Sequence, residues 1–187
     1  FPKPQIHRRN TGYAIDELLK SNVFEEGLDN FNFCNLLSGS EGTLAFTTEV
    51  TIQLDNIPPK HSAMVVTHYK TLEDCLSDVV PVMKHVLYLC EMMDKVILDC
   101  TKNNKTQLEN RFFVEDDPAA LLMLELKSDS KEGLEEHLKS LLKTIETSGL
   151  SYASPVLYGK NINKAIELRK AGLGLLGNIV GDMKAVA

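Results

Sequence analysis

None of the four cysteines, Cys34, Cys75, Cys90 and Cys100, is spaced as C-x-x-C, and no His/Cys cluster has zinc or iron–sulfur spacing. No metal site is therefore expected. Three of these thiols lie within apolar stretches, where a free cysteine behaves as a small hydrophobe, and a reducing cytoplasmic setting fits them best. No apolar run approaches the ~20 residues that cross a bilayer. The opening Phe1-Pro2-Lys3-Pro4 has neither the charged leader nor the apolar core of a signal peptide, and no initiator Met. Excess positive charge is missing too. The net charge of −6 argues against a nucleic-acid surface, and the one basic cluster, Lys3, His7, Arg8 and Arg9, reads as a solvated strand end. His61 and His68 invite a metal reading, but on one strand their odd separation sends them to opposite faces.

What is present is ordinary globular composition, 43% hydrophobic and 25% charged, in 187 residues. That is enough for one domain, or for one domain and a piece of another. The last residues, Met183-Lys184-Ala185-Val186-Ala187, read as the opening of a strand. Both ends are expected to be cuts in a longer protein.

Residues 1–58 differ in character from the rest. They hold Asn10-Thr11-Gly12-Tyr13, then Gly39-Ser40-Glu41-Gly42-Thr43-Leu44, then an alternating, β-branched run from Ala45 to Leu54 that predicts a strand. Pro58-Pro59 ends it and marks a boundary. From Lys60 onward the pattern predicts a strand over 62–69. A helix follows, capped by Thr71 with Asp74 three residues on, carrying Leu72, Leu76, Val79, Val80, Met83, Val86 and Leu87 and kinked or split at Pro81. A strand over 88–93, a short helix to about Thr101 and a loop at 103–105 come next.

The second half repeats the order. An apolar strand spans 119–126, and a helix capped by Asp129 or Ser130 presents Leu134, Leu138, Leu141, Leu142 and Ile145 before Gly149 stops it as a left-handed cap. A strand over 151–158 and a helix over 163–176 close the chain. This strand–helix–strand, strand–helix–strand order is α+β and ferredoxin-like (βαβ-βαβ), with helices covering one face of an antiparallel sheet. Such a fold does not disclose a function.

Two glycines three apart in Gly39-Ser40-Glu41-Gly42-Thr43-Leu44 permit a tight backbone path and close approach to a ligand; an ordinary loop into a strand is the alternative. The block is not a phosphate-binding Walker loop, lacking the Lys-Ser/Thr ending. Nor is it a dinucleotide fingerprint, lacking G-x-G-x-x-G before a helix. At the far end stand Glu167-Leu168-Arg169-Lys170 and, fifteen residues after Arg169, Lys184. An arginine there is either a solvated helix charge or a bidentate clamp for a carboxylate.

The order N-T-G-Y, an acidic-apolar stretch, then L-L-x-G-S-E-G-T-L-x-x-x-T-E closely resembles the end of the FAD-binding domain of the vanillyl-alcohol-oxidase type. The subgroup is that of the D-lactate, glycolate and D-2-hydroxyglutarate dehydrogenases, within the FAD-linked oxidases. The resemblance implies that residues 1–58 are the C-terminal part of an FAD-binding domain and 59–187 a truncated ferredoxin-like cap. It implies that Gly39, Ser40, Glu41, Gly42, Thr43 and Leu44 lie along FAD, with Asn10, Thr11, Gly12 and Tyr13 near its cleft. Glu91-Met92-Met93-Asp94 resembles the family's E-L-L-D stretch, which makes Glu91 and Asp94 fold-defining. Arg169 would pair with the substrate carboxylate, assisted by Lys184.

The expected whole is an FAD-dependent oxidoreductase taking a small D-2-hydroxyacid, with an electron acceptor that the sequence does not name. The FAD pyrophosphate loop and the family's His-rich block are not in this chain, so the isolated chain is expected to lack FAD and activity. Two other readings remain open at this point. One is a non-catalytic ferredoxin-like binding or regulatory module; the other is a same-fold oxidase of an unrelated alcohol or sugar.

Overall fold

A computed structural model describes residues 12–20, 31–102 and 104–177. The chain divides into two units, Phe1–Asp55 and Asn56–Ala187. The first contains two short helices, α1 (Ile15–Lys20) and α2 (Cys34–Leu37). The second runs β1 (His61–Tyr69), α3 (Leu72–Val82), β2 (Leu89–Asp94), α4 (Lys95–Lys102), a single 3-10 turn (Leu108–Arg111), β3 (Ala120–Ser128), α5 (Lys131–Ser148), β4 (Val156–Tyr158) and α6 (Lys160–Leu176).

The helix boundaries follow from local chemistry. The Thr71 hydroxyl accepts the Asp74 N–H at 3.1 Å and donates to the Asp74 carboxylate at 2.6 Å, closing the first turn of α3 on itself. The helix ends at Val82 instead of continuing through Val86 and Leu87. Pro81 supplies no N–H to the ladder and its ring crowds the carbonyl four residues back, so it strains the last turn, and the helix stops one residue after it. Ser130, not Asp129, caps α5 by accepting the Gly133 N–H at 3.0 Å. At the other end Gly149 adopts φ 64° and returns its N–H to the Ile145 carbonyl, the left-handed stop that the sequence predicts.

The four strands form one antiparallel sheet in the order β2-β3-β1-β4. The central pair, β1 and β3, is in register over nine residues, with Val65 opposite Leu124. Alternate side chains along these strands enter two separate cores. Ala63, Val65 and Tyr69 of β1 and Leu122, Leu124 and Leu126 of β3 pack with α3 and α5. Met64 and Val66 of β1 and Leu121 and Met123 of β3 pack on the opposite side with Leu98 of α4, Phe113, and Ile162, Ala165 and Leu168 of α6. Helices therefore cover both faces, which corrects the one-sided arrangement expected from the element order. The near-unbroken apolar run Ala119 to Leu126 is the pattern of a strand buried on both sides.

Two strand predictions are also corrected. β4 is only Val156–Tyr158, because Pro155 has no N–H for the ladder; upstream, an isolated bridge between His68 and Ala153 keeps the chain beside β1. Residues 45–59 form no strand, and Phe46, Val50, Ile52 and Leu54 are exposed. Alternation alone does not make a strand, since backbone groups need a partner ladder, and none is present for this run among the described residues.

His68 is an internal residue of β1. Its Nε2 accepts the Glu115 N–H at 3.1 Å, so the proton sits on Nδ1 and is donated to the Val66 carbonyl at 3.0 Å. Burial lowers its pKa from 6.5, against its hydrogen-bonded neighbours and Glu115, which raise it. Among the described residues no group of three or more His, Cys, Asp or Glu side chains converges as a metal site. Nor is any helix among them long and apolar enough to cross a membrane.

Candidate functional site

In the first unit the two sequence blocks meet. Gly12 has φ 73°, and its carbonyl oxygen occupies the space into which a Cβ on Gly39 would project, so position 39 admits glycine without displacing backbone. Gly39 and Ser40 are buried there. The Ser40 hydroxyl donates to the Leu37 carbonyl at 2.9 Å, which ties the block to the end of α2. Glu41 (φ 51°) and Gly42 (φ 76°) then turn the chain through two successive left-handed residues, and both are exposed at its tip.

The turn is closed by hydroxyls. Thr43 donates its hydroxyl to the Ser40 carbonyl at 2.6 Å, while its N–H reaches the same carbonyl at 2.9 Å. With its one proton committed, the Thr43 oxygen can only accept from the Tyr13 hydroxyl, 2.6 Å away. Gly12 and Tyr13 are thus joined to Gly39, Ser40 and Thr43 through a carbonyl contact and a hydrogen bond. Leu44 follows, half exposed. Asn10 and Thr11 lie outside the described residues.

In the second unit Arg169 is on α6, the helix whose Ile162, Ala165 and Leu168 enter the second core. The same core holds Met93 of β2, with Leu89 packed against it. Glu91 lies between Leu89 and Met93 on that face, opposite Met123 of β3. The carboxylate of Glu91 ion-pairs with Nε of Arg169, the two side chains being 31% and 48% exposed. Glu91, expected from its motif to be fold-defining, thus joins β2 to α6 through this ion pair. Sequence reading had no access to the pairing, because it placed no helix on this face of the sheet. Asp94 does act structurally: its carboxylate accepts the Ile97 N–H at 2.9 Å and starts α4.

The position of α6 is further fixed by Gly172. A Cβ there would stand 2.5 Å from Cγ2 of Ile97 on α4, so the glycine lets the two helices approach closely. The neighbouring Lys170 instead makes an ordinary exposed pair with Glu167 on its own helix at 3.7 Å. Lys184 lies outside the described residues.

Comparison with known proteins adds a lineage to this geometry. Residues 58–187 match the family described as FAD linked oxidases, C-terminal domain. Over 98% of its length the chain is 26% identical to a D-2-hydroxyglutarate dehydrogenase of Haemophilus influenzae and 23% identical to one of Escherichia coli. It spans only 18% of each of those relatives. A D-lactate dehydrogenase of Anaerostipes hadrus is 30% identical over 64% of the chain, which covers 26% of that protein.

Proposed function

The chain belongs to the family of FAD linked oxidases, whose C-terminal domain it carries, and on that premise we propose that it is part of a larger flavoenzyme oxidising a small D-2-hydroxyacid by hydride transfer to FAD. In this reading residues 1–58 are the end of the FAD-binding domain and 59–187 the cap. The strand order β2-β3-β1-β4, all antiparallel, supports a ferredoxin-like cap elaborated by α4 and α6 on its second face. The free thiols support a reducing, cytoplasmic setting.

FAD, when bound, supplies the hydride acceptor. The residues present fit such a group. Gly39 lets the Gly12 carbonyl pack against it where a Cβ would stand, Gly12 holds a positive φ, and exposed Glu41 and Gly42 stand with their backbone open at the tip of a turn fixed by Ser40, Thr43 and Tyr13. Gly39 to Leu44 would lie along the cofactor, with Asn10 to Tyr13 beside them. Arg169 would bind and orient the substrate carboxylate, because its planar fork stays charged and offers paired donors. Lys184 would assist it. The electron acceptor is left open.

The observation that carries this reading is the family match across residues 58–187 together with a half-exposed arginine held on α6. The test uses the full-length protein and a panel of D-2-hydroxyacids. Arg169→Ala should raise KM and lower kcat/KM by roughly 2–4 kcal/mol of transition-state binding, with flavin content unchanged. Arg169→Lys should rescue it poorly. Unchanged kinetics in Arg169→Ala would return this arginine to the surface.

A further inference from the structure

We infer that Glu91 is the positioning residue of Arg169: a carboxylate fixed on β2 that holds the guanidinium by its Nε edge and so presents the remaining donors to a substrate carboxylate. This rests on the reading of Arg169 given above. The observation behind it is the ion pair itself, which joins two elements that share one core.

Both ends of the pair are anchored. Glu91 is held by the β2–β3 ladder, opposite Met123, and is flanked by Leu89 and Met93 on its own face. Arg169 extends from a helix seated by Ala165 and Leu168 and brought close to α4 at Gly172. A guanidinium carries five N–H donors, and one carboxylate engages at most two of them. Glu91 therefore leaves enough of the fork for a second carboxylate.

Stability does not account for the pair. Half-exposed ion pairs contribute little to folding, whereas a long side chain that must bind in one orientation gains from being held in it beforehand. The contrast with Lys170 and Glu167 makes the point locally. That pair spans one turn of one helix, with both partners over 60% exposed, and orients neither toward another element. Glu91 and Arg169 bridge strand to helix and are the less exposed of the two pairs.

The experiment compares Glu91→Ala, Glu91→Gln and Arg169→Ala in the full-length flavin-loaded protein, with thermal melting recorded for each. Glu91→Ala is expected to raise KM for the accepted hydroxyacid roughly tenfold while kcat changes by less than about twofold. Glu91→Gln, which keeps an acceptor oxygen for Nε–H, is expected to recover most of that loss. A merely structural glutamate would shift the melting temperature without this KM-against-kcat split and without rescue by Gln, and that result would overturn the inference. So would a lower KM in Glu91→Ala, which would make Glu91 a competitor of the substrate. If Arg169→Ala raises KM and Glu91→Ala does not, the positioning role is lost and the carboxylate clamp stands. If neither does, both are lost.

Discussion

The two units dispose of their apolar side chains in opposite ways. In the second, a sheet buried on both faces collects Leu, Met, Val and Ile into two cores, and β1 and β3 are almost wholly inaccessible. In the first, Phe46, Val50, Ile52 and Leu54 stand in the open, and the best-defined feature is a turn closed by Gly12, Tyr13, Gly39, Ser40 and Thr43. Among the described residues, packing determines the second unit and a backbone contact the turn in the first. A core is damaged by removing volume, whereas a backbone contact is damaged by adding it.

The largest effect should come from the core side of this contrast. Met123 and Leu124 are adjacent on β3 and point into opposite cores. Replacing either by Ala should cost about 2–5 kcal/mol in chemical denaturation, the range for truncating a buried large side chain. A cost for Met123→Ala near that of a surface change would mean that the second face is open to water, and the difference between the units would shrink accordingly.

The converse experiment adds a single methyl to the first unit. Gly39→Ala drives a Cβ into the Gly12 carbonyl, a clash with backbone that no rotamer relieves. It should cost about 1–3 kcal/mol locally, as overpacking does, without moving the denaturation midpoint of the second unit. In the full-length protein it should lower flavin content per polypeptide, read from the visible spectrum. Full flavin occupancy in Gly39→Ala would separate the turn from the cofactor.

The smallest effect concerns pH. His68, buried in the second unit, has its folded pKa depressed below 6.5, chiefly by desolvation. A depressed pKa means that the unfolded chain takes up the proton first. The stability from neutral His68 is thus complete above pH 6.5 and is lost as the pH falls through and below that value. His68→Gln should flatten the dependence of unfolding free energy on pH in this window. An identical slope in the variant would assign the acid sensitivity elsewhere.

Much of this was legible in the sequence, for identifiable reasons. Thr71, Ser130 and Gly149 declare helix ends through chemistry confined to a few neighbouring residues, and those ends are where the residues put them. The block at Gly39 could be singled out by two glycines three apart beside an expected strand, and the block at Gly12 by the resemblance of N-T-G-Y to the end of an FAD-binding domain. The unforeseen parts depend on partners distant in the chain. The run 45–54 alternates like a strand yet has no ladder beside it among the described residues. The Glu91–Arg169 pair needs a helix on the second face of the sheet, and nothing near either residue announces one. The continuous apolar stretch of β3 was the available hint.

The pairing of β1 with β3 also bears on the order of events during synthesis. It joins residues from 51 positions apart, Tyr69 with Ala120, to 67 apart, His61 with Ser128. Contacts so distant in the chain form slowly, because a long loop must close before any of them repays its entropy. While the polypeptide leaves the ribosome, β1, α3 and β2 are made before β3, the strand that joins β1 to β2 in the sheet. The sheet can zip only when β3 emerges, and its second face is covered later still, when α6 follows. Until then Met64, Val66 and Met93 have only part of their core, Leu98 of α4 and Phe113, to pack against, and the apolar surface that Ile162, Ala165 and Leu168 will cover stays open.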